Sequence, residues 1–422
     1  MKRRRCPDCG LSGEFSKSKM RKHRLQTHGF VTCECGRQFC KEEHMAQHKR
    51  DNRIHAGGSQ YSYSALYRVG MQGLHGAFGG LSISTLSSDI YTLSSGTLES
   101  FIDGNIQANA QFLGCCGEVI DSLVRKLQDT DMVPSKLRPR RIIKSGSLGK
   151  GTAVKGRSDI DLILMLVKYD NVEVLMRDMR DLLRSLEKHL NENTTANHQR
   201  TTRYSVQVEL TCRSSHKHDV DILPAVDLLE IGNIPSDVYR MMKGVADSTI
   251  HEYSVSLAPL QLEIIGELPT KVKNLIKLIK YWKDKKLKEK DEQEMPSFAE
   301  KRYGKPNWPS SYALELVVLN AWTEANEPVS FDMTRALHAV LTSLVNHRQF
   351  KIILRRKMKY NTTLIQARSA PYIMDPANPF NDMYHGLVDG QAFDWDRVVP
   401  EARLWLSKPL FYGVSNTKHT WN

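Results

Sequence analysis

The sequence predicts an α+β fold, preceded by small zinc-binding units, and three observations support this. Between residues 142 and 226, apolar residues form short runs or alternate with polar ones, as in β-strands. From Leu98 to Leu127, and again from Val172 to Leu190, they recur at spacings of three, four and seven, as in amphipathic helices. Cysteines and histidines interleave within the first 55 residues. A chain of 422 residues is long enough for two or three such domains.

The cysteines and histidines near the N-terminus have the spacing of C2H2 zinc fingers. The predicted ligands of the first finger are Cys6, Cys9, His23 and His28. Those of the second finger are Cys33, Cys35, His48 and His55, with Cys40 and His44 as rival ligands. Units this small fold only when they bind metal, so the Zn²⁺ is expected to be structural. We therefore predict tandem ββα fingers over residues 1–56, and the sequence leaves open whether they read DNA, bind RNA or dock a protein.

Charge and cysteine usage limit the partners and the compartment. The net charge is +13, and residues 1–56 hold 14 Lys and Arg against 6 Asp and Glu, a net +8. This asymmetry favours a nucleic-acid partner, although solubility and an address signal in residues 2–5 are the simpler alternative. Five of the eight cysteines lie within the first 40 residues, which favours zinc in a reducing compartment, cytoplasm or nucleus. No secretory signal and no run of 18 apolar residues is present, so no membrane partner is expected.

A Gly- and Ser-rich stretch, residues 57–96, is predicted to be a flexible linker. Helical periodicity begins at Leu98 and continues in a long segment from Phe112 to Leu127. Cys115 and Cys116 lie in this segment and are expected to fill the core rather than to react. The linker would thus tether the fingers to a larger folded region.

The segment SGSLGKGTAVKGRSDID, residues 145–161, is typical of a site for a metal-bound nucleoside triphosphate. Gly146 lets the backbone approach a phosphate closely, and Ser147 and Lys150 can donate hydrogen bonds to its oxygens. Asp159 and Asp161 precede an apolar run, and residues two apart on a strand point to the same face. Two adjacent carboxylates repel each other unless a cation lies between them, which predicts a divalent metal, Mg²⁺.

A third carboxylate on a neighbouring strand would convert triphosphate binding into nucleotidyl transfer. Asp221 lies between Val220 and Ile222, so it can occupy the polar face of a short strand directed at the first pair. Asp219 shares that face and is the rival candidate. With three carboxylates, one metal ion can activate the attacking hydroxyl while the other holds the triphosphate and its pyrophosphate leaving group.

Taken together, the segments from about Leu98 to Phe411 resemble the 2′-5′-oligoadenylate synthase family. The sequence blocks that carry the resemblance are residues 146–162, 220–227, 275–282, 311–322 and 374–382. The resemblance implies a bilobal nucleotidyltransferase fold with an N-lobe over 97–245 and a helical C-lobe over 246–415. It places the metal triad, and with it catalysis, on Asp159, Asp161 and Asp221. It also assigns donor ATP contacts to Gly146, Ser147, Lys280 and Tyr312, to which the chemistry of residues 145–161 adds Lys150.

The sequence departs from the family pattern in two respects. Ser311 replaces a glutamine that precedes the matched tyrosine, which weakens any assignment of base recognition at the donor site. Leu262 and Gly266 replace basic residues that contact double-stranded RNA in the family, and of these contacts only Lys150 and Lys271 keep their charge. Replacement basic residues, Arg138, Arg140, Arg141, Lys144 and the lysines of 283–290, are present in the sequence.

The resemblance implies an enzyme that polymerises ATP into 2′-5′-linked oligoadenylates and releases pyrophosphate, regulated by double-stranded RNA and acting in innate antiviral signalling. Three alternatives remain open from the sequence. They are a synthase of cyclic or mixed dinucleotides, a catalytically inactive nucleic-acid sensor, and a transcription regulator that depends on the fingers alone. The intact set of aspartates favours an active enzyme, while the linkage, the product length and the oligomeric state are left open.

Overall fold

The computed structural model describes side chains and backbone over residues 89–155, 160–229, 235–243, 252–287, 307–385 and 392–422, and the backbone of residue 288. Nearer the N-terminus it describes only the backbone of four short strands. The chain divides into two compact units, Met1–Ser84 and Thr85–Asn422. Among the described residues, the helices are all too short or too polar to span a membrane.

The N-terminal unit contains two antiparallel hairpins. Strand β1 (Arg3–Arg5) pairs with β2 (Ser12–Glu14), and β3 (Val31–Thr32) pairs with β4 (Gln38–Phe39). In the sequence, each hairpin encloses one cysteine pair of a predicted finger, as the ββ part of a ββα finger does. All eight predicted zinc ligands lie outside the described residues.

A five-stranded mixed sheet forms the first half of the C-terminal unit, in the order β5-β6-β9-β8-β7. Its strands are β5 (Pro139–Ser145), β6 (Ile160–Leu166), β7 (Asn197–Thr201), β8 (Val206–Thr211) and β9 (Lys217–Val226). Only the β6–β9 pair is parallel, and the other neighbours are antiparallel. The strands predicted from alternating and continuous apolar runs are confirmed.

Helices surround this sheet. The first are α1 (Ser95–Phe101), α2 (Ala110–Gln128), the short α3 (Gly146–Lys150) and α4 (Val172–Asn193). The boundaries of α2 and α4 agree with the helical periodicity, and Cys116 is buried in the core as predicted. Within residues 57–96, assigned from sequence to the linker, two side chains are buried: Ile90 is 1% exposed and Leu93 is 8% exposed.

Helices predominate after the sheet. They are α5 (Pro235–Met242), α6 (Tyr253–Ser256), α7 (Ala258–Gly266), α8 (Thr270–Trp282), α9 (Ser311–Glu324), α10 (Met333–Val345) and α11 (Trp395–Leu406). A small sheet of β10 (Lys351–Ile352), β11 (Tyr372–Asp375) and β12 (Asn378–Asp382) lies among them. Helix α9 is apolar on nearly all sides because it packs between α8 and α10. The predicted α+β fold is confirmed.

Strand β6 is buried on both faces, which explains its continuous apolar sequence. Leu162 and Leu164 belong to the main core, to which α2 and α4 also contribute. Ile163 and Met165 face the other way and pack with Ala258 of α7. Asp161, at the start of the strand, is therefore held in place by core packing on both sides.

Candidate functional site: a carboxylate pair beside a glycine-serine segment

Two of the predicted metal ligands lie side by side. Asp161 on β6 and Asp221 on β9 are direct neighbours in the parallel register, and both side chains are half-buried. They line one pocket of about 400 Å³ together with Gln199, Gln207 and Asp219. Because carboxylate oxygens are the ligands that Mg²⁺ prefers, this part of the pocket fits a magnesium ion. Asp159, the third predicted ligand, lies outside the described residues.

Gln207 holds the orientation of Asp221. It lies opposite Asp221 in the β8–β9 register, and its Nε2 donates to Asp221 Oδ2 over 3.0 Å. An amide that supports a metal ligand in this way fixes the direction of the carboxylate. Sequence reasoning missed Gln207, although its place on a strand antiparallel to β9 could have suggested it.

The geometry also separates Asp221 from its rival. Asp219 is exposed and lies opposite Glu209, whose carboxylate pairs with Lys217 over 3.0 Å. Asp221 is the residue in register with Asp161, so it is the better partner for a shared cation.

The glycine-serine segment adjoins this pair. Ser145 lies opposite Asp161, and Gly146 forms an isolated bridge with Ile160. Gly146 has φ of 68°, a conformation that favours glycine, and Ser147 directly after it is buried. A Cβ atom at Gly149 would lie 2.3 Å from the carbonyl oxygen of Lys144, so only glycine lets α3 pack this closely on β5.

A second group of predicted residues surrounds a buried carboxylate, Glu315 of α9. Lys150 Nζ lies 3.0 Å from Glu315 Oε2, and Lys280 Nζ lies 3.7 Å from Oε1. The Thr152 hydroxyl also donates to Oε1, over 3.3 Å. Burial acts to raise the pKa of Glu315, but the two ammonium groups outweigh it and hold the pKa below its usual value. This network joins α3, α8 and α9 and keeps one positive charge in excess.

Tyr312 lies in the same region, with its hydroxyl committed to another carboxylate. Its ring centroid is 4.2 Å from Lys150 Nζ, a cation–π distance. Its hydroxyl donates to Asp375 Oδ1 over 2.9 Å. Asp375 is fully buried and also accepts from Gln261 and Asn381, and its burial raises its pKa. The aromatic ring, rather than the hydroxyl, is the part of Tyr312 available to a nucleotide.

Glu315 and Asp375 were both missed from sequence. A single glutamate inside the apolar helix SYALELVVLNAW is a recognisable signal, since a buried charge needs partners. The identity of those partners was not recognisable, because Lys150 and Lys280 are 165 and 35 positions away along the chain.

Several basic residues considered for RNA contact are paired with acidic residues. Arg141 lies 2.7 Å from the buried Asp227, and Lys144 contacts Asp121. Lys271 lies 3.0 Å from Glu99, and Lys286 lies 2.8 Å from Asp89. Arg138 and Arg140 are exposed, Leu262 is half-buried and Gly266 is exposed.

Part of the chain matches a known protein family, and most of it is similar to a rat protein. The protein-family model described as 2′-5′-oligoadenylate synthetase 1, domain 2, C-terminus, matches residues 233–422. The 2′-5′-oligoadenylate synthase 1A of Rattus norvegicus is 26% identical over 354 residues, 77% of this chain and 93% of the rat protein. The chain is similar to 2′-5′-oligoadenylate synthases over most of its length. This confirms the predicted resemblance as a similarity in sequence.

The chain is also similar to an inactive relative and to one solved structure. The inactive 2′-5′-oligoadenylate synthase 1B of Mus musculus is 26% identical over 354 residues, 77% of this chain and 88% of the mouse protein. Among solved structures, CdnC of E. coli MS115-1 with ATP is 22% identical, with a TM-score of 0.49, and the match covers 74% of this chain and 90% of CdnC. Since one relative is inactive by name, the activity of this chain has to be argued from its site residues.

Proposed function

We propose that the chain polymerises ATP into 2′-5′-linked oligoadenylates and releases pyrophosphate. The observation that carries the proposal is the register of β6 and β9, which sets Asp161 and Asp221 side by side next to the glycine-serine segment. The similarity to 2′-5′-oligoadenylate synthases supports the choice of substrate and linkage.

The proposed metal is Mg²⁺, held by Asp161 and Asp221 together with Asp159. When bound, Mg²⁺ lowers the pKa of an attacking hydroxyl and neutralises charge on a triphosphate. Asp221 is proposed to orient the 2′-hydroxyl of the acceptor and to accept its proton, because Gln207 fixes the direction of its carboxylate. Gly146 and Ser147 are proposed to bind the donor triphosphate.

The network around Glu315 supports the donor side of this proposal. Two ammonium groups, Lys150 and Lys280, share one carboxylate, so the region carries one net positive charge. A triphosphate that approaches this excess charge in a poorly solvated region is stabilised more strongly than in water. The ring of Tyr312 provides an apolar face beside Lys150 on which a base can stack.

The matched variants for this proposal are Asp161→Asn, Asp221→Asn and Asp219→Asn. We expect the first two to lose about 1,000-fold or more in turnover, since metal binding contributes several kcal/mol and each 1.36 kcal/mol is tenfold. Asp219→Asn is expected to keep most of its activity because that exposed residue is out of register with Asp161. Equal losses in Asp219→Asn and Asp221→Asn would contradict the assignment of the third carboxylate.

The alternatives differ in their products. A synthase of cyclic or mixed dinucleotides, which Ser311 keeps open, would give nuclease-resistant or mixed products from an NTP mixture, whereas the proposed enzyme uses ATP alone. An inactive sensor would give no product but would still bind nucleic acid. Product analysis with linkage-specific nucleases separates all three.

We also propose that residues 1–56 form two zinc fingers that supply affinity for nucleic acid, double-stranded RNA included. The two hairpins around the cysteine pairs and the net charge of +8 support this. The pairing of Arg141, Lys144 and Lys271 with carboxylates leaves less free positive charge on the C-terminal unit. Deletion of residues 1–56 should therefore weaken RNA binding and RNA-stimulated activity, and unchanged values would contradict the proposal. The proposed compartments are the cytoplasm and the nucleus.

A further inference from the structure

Four potential metal ligands come together on the opposite face of the sheet from the aspartates. They are Cys115 of α2, Cys212 directly after β8, His216 before β9 and His218 within β9. Each can offer one sulfur or nitrogen atom, and these four atoms all lie within 4.8 Å of one another. Two sulfur and two nitrogen ligands form the donor set of many structural zinc sites.

The distances between the ligand atoms fit a tetrahedral ion. Cys115 Sγ is 3.2 Å from His216 Nδ1 and 3.7 Å from His218 Nε2. Zinc bonds of about 2.3 Å to sulfur and about 2.0 Å to nitrogen, at tetrahedral angles, place sulfur and nitrogen ligands roughly 3.5 Å apart. The observed separations lie on either side of that value, so an ion can enter after small side-chain adjustments.

The local fold holds the ligands in this arrangement. A tight turn links β8 to β9, in which Cys212 N donates to His216 O over 3.0 Å and Ser215 N donates to Cys212 O over 2.9 Å. Ser215 has φ of 61°, which lets the chain reverse within three residues. His216 and His218 are two residues apart, so both imidazoles point toward α2. There they contact the ring of Phe112, at centroid distances of 5.6 and 5.1 Å.

The cluster is separate from the proposed magnesium site. His218 is fully buried on the same face of β9 as Val220 and Ile222, whereas Asp219 and Asp221 point to the other face. Sulfur and imidazole ligands select zinc, whereas carboxylates select magnesium, so the two faces of one strand have different metal chemistry.

We propose that Cys115, Cys212, His216 and His218 bind a structural Zn²⁺ ion in the sheet domain, in addition to the zinc of the fingers. Four protein ligands close the coordination sphere, which leaves no position for substrate and makes the ion structural. The ion fastens the β8–β9 turn to α2. Because His218 is three residues before Asp221 on β9, it also fixes the start of the strand that carries the catalytic carboxylate.

Metal analysis of the full-length protein tests this proposal without any measurement of activity. Zinc content per chain is measured for the wild type and for Cys212→Ala, His216→Ala and His216→Cys. Cys116→Ala serves as the matched control, because Cys116 is adjacent to a ligand but buried in the core outside the cluster. Since the fingers bring their own zinc, the differences between variants carry the result.

We expect Cys212→Ala and His216→Ala to bind one zinc fewer per chain than the wild type. Cys116→Ala should match the wild type, and His216→Cys should keep the ion with three sulfur ligands. In Co²⁺-loaded protein, the thiolate-to-cobalt absorption should fall in the same two alanine variants. His216 is half-exposed, so His216→Ala is expected to fold, which circular dichroism checks.

Two results would overturn the proposal. One is a zinc content that is the same in the wild type and in both alanine variants. The other is a Cys115–Cys212 disulfide, found by mass spectrometry of the unreduced protein, in preparations whose zinc content matches that of the fingers alone.

Discussion

Replacement of Glu315 by glutamine should cause a large loss of stability, because it removes the carboxylate that pairs with both Lys150 and Lys280. All three side chains are at most 10% exposed, so water cannot compensate the two lysine charges once the carboxylate is removed. At an effective dielectric constant near 20, unit charges separated by these distances attract each other by about 5 kcal/mol per pair before desolvation is subtracted. Breaking a buried ion pair from one side costs about 3–5 kcal/mol, and we expect a loss in this range.

Urea unfolding, followed by tryptophan fluorescence, measures this loss of stability in the C-terminal unit, Thr85–Asn422. The signal reports on that unit because all six tryptophans lie at or beyond position 282. The matched control is Glu263→Gln, which removes an exposed carboxylate paired with Lys359 and should cost less than about 1 kcal/mol. If Glu315→Gln and Glu263→Gln lost equal stability, the reasoning about the buried network would be refuted.

Acidification offers a second check on the same residue. The pKa of Glu315 is held below its usual value in the folded state, so its contribution is complete above the unfolded pKa of about 4.5 and is lost as the pH falls through the folded value. The difference in unfolding free energy between the wild type and Glu315→Gln should therefore be largest near pH 7 and shrink below about pH 4.5. A difference that grew on acidification would have the wrong sign.

Two further variants test the geometry around the aspartates. Gly149→Ala should destabilise the protein by about 1–3 kcal/mol because its Cβ would meet the Lys144 carbonyl. The control Gly114→Ala lies in open space on α2 and should be neutral or stabilising by up to about 1 kcal/mol. Thermal unfolding compares the two variants, and equal effects would contradict the close α3–β5 contact. Gln207→Leu should lower turnover about 10- to 100-fold with the melting temperature little changed, since it removes the hydrogen bond that orients the Asp221 carboxylate. Unchanged kinetics would show that Gln207 does not position Asp221.

Sequence patterns predicted the elements of the sheet domain because each one is locally determined. The apolar run after Asp161 and the alternation around Asp221 specify strands, and the periodicity from Phe112 to Leu127 specifies a helix. The register that brings Asp161 next to Asp221 depends on the order of strands in the sheet, which no local pattern contains. The sequence predicts this juxtaposition only indirectly, because metal-dependent nucleotidyl transfer requires carboxylates on neighbouring strands.

The contacts that sequence reasoning missed are long-range. The sequence predicts Lys150 to be a phosphate ligand, and in the structure it lies in a short helix and pairs with Glu315. Cys115 was interpreted as core filler because a helix pattern alone does not show what faces it; its neighbours, Cys212 and His218, come from a hairpin about 100 residues later. Spacing within one segment is enough to predict zinc fingers, whereas a site assembled from three elements can be recognised only in the folded structure.

The most direct test of the proposed activity is incubation of the full-length protein with ATP and Mg²⁺, with and without double-stranded RNA, followed by identification of the products. We predict pyrophosphate and a ladder of adenylates that resist a 3′-5′-specific nuclease but are cut by a 2′-5′-specific one, and no such products from Asp161→Asn. A cyclic or mixed dinucleotide as the main product, or the same products from Asp161→Asn, would contradict the account.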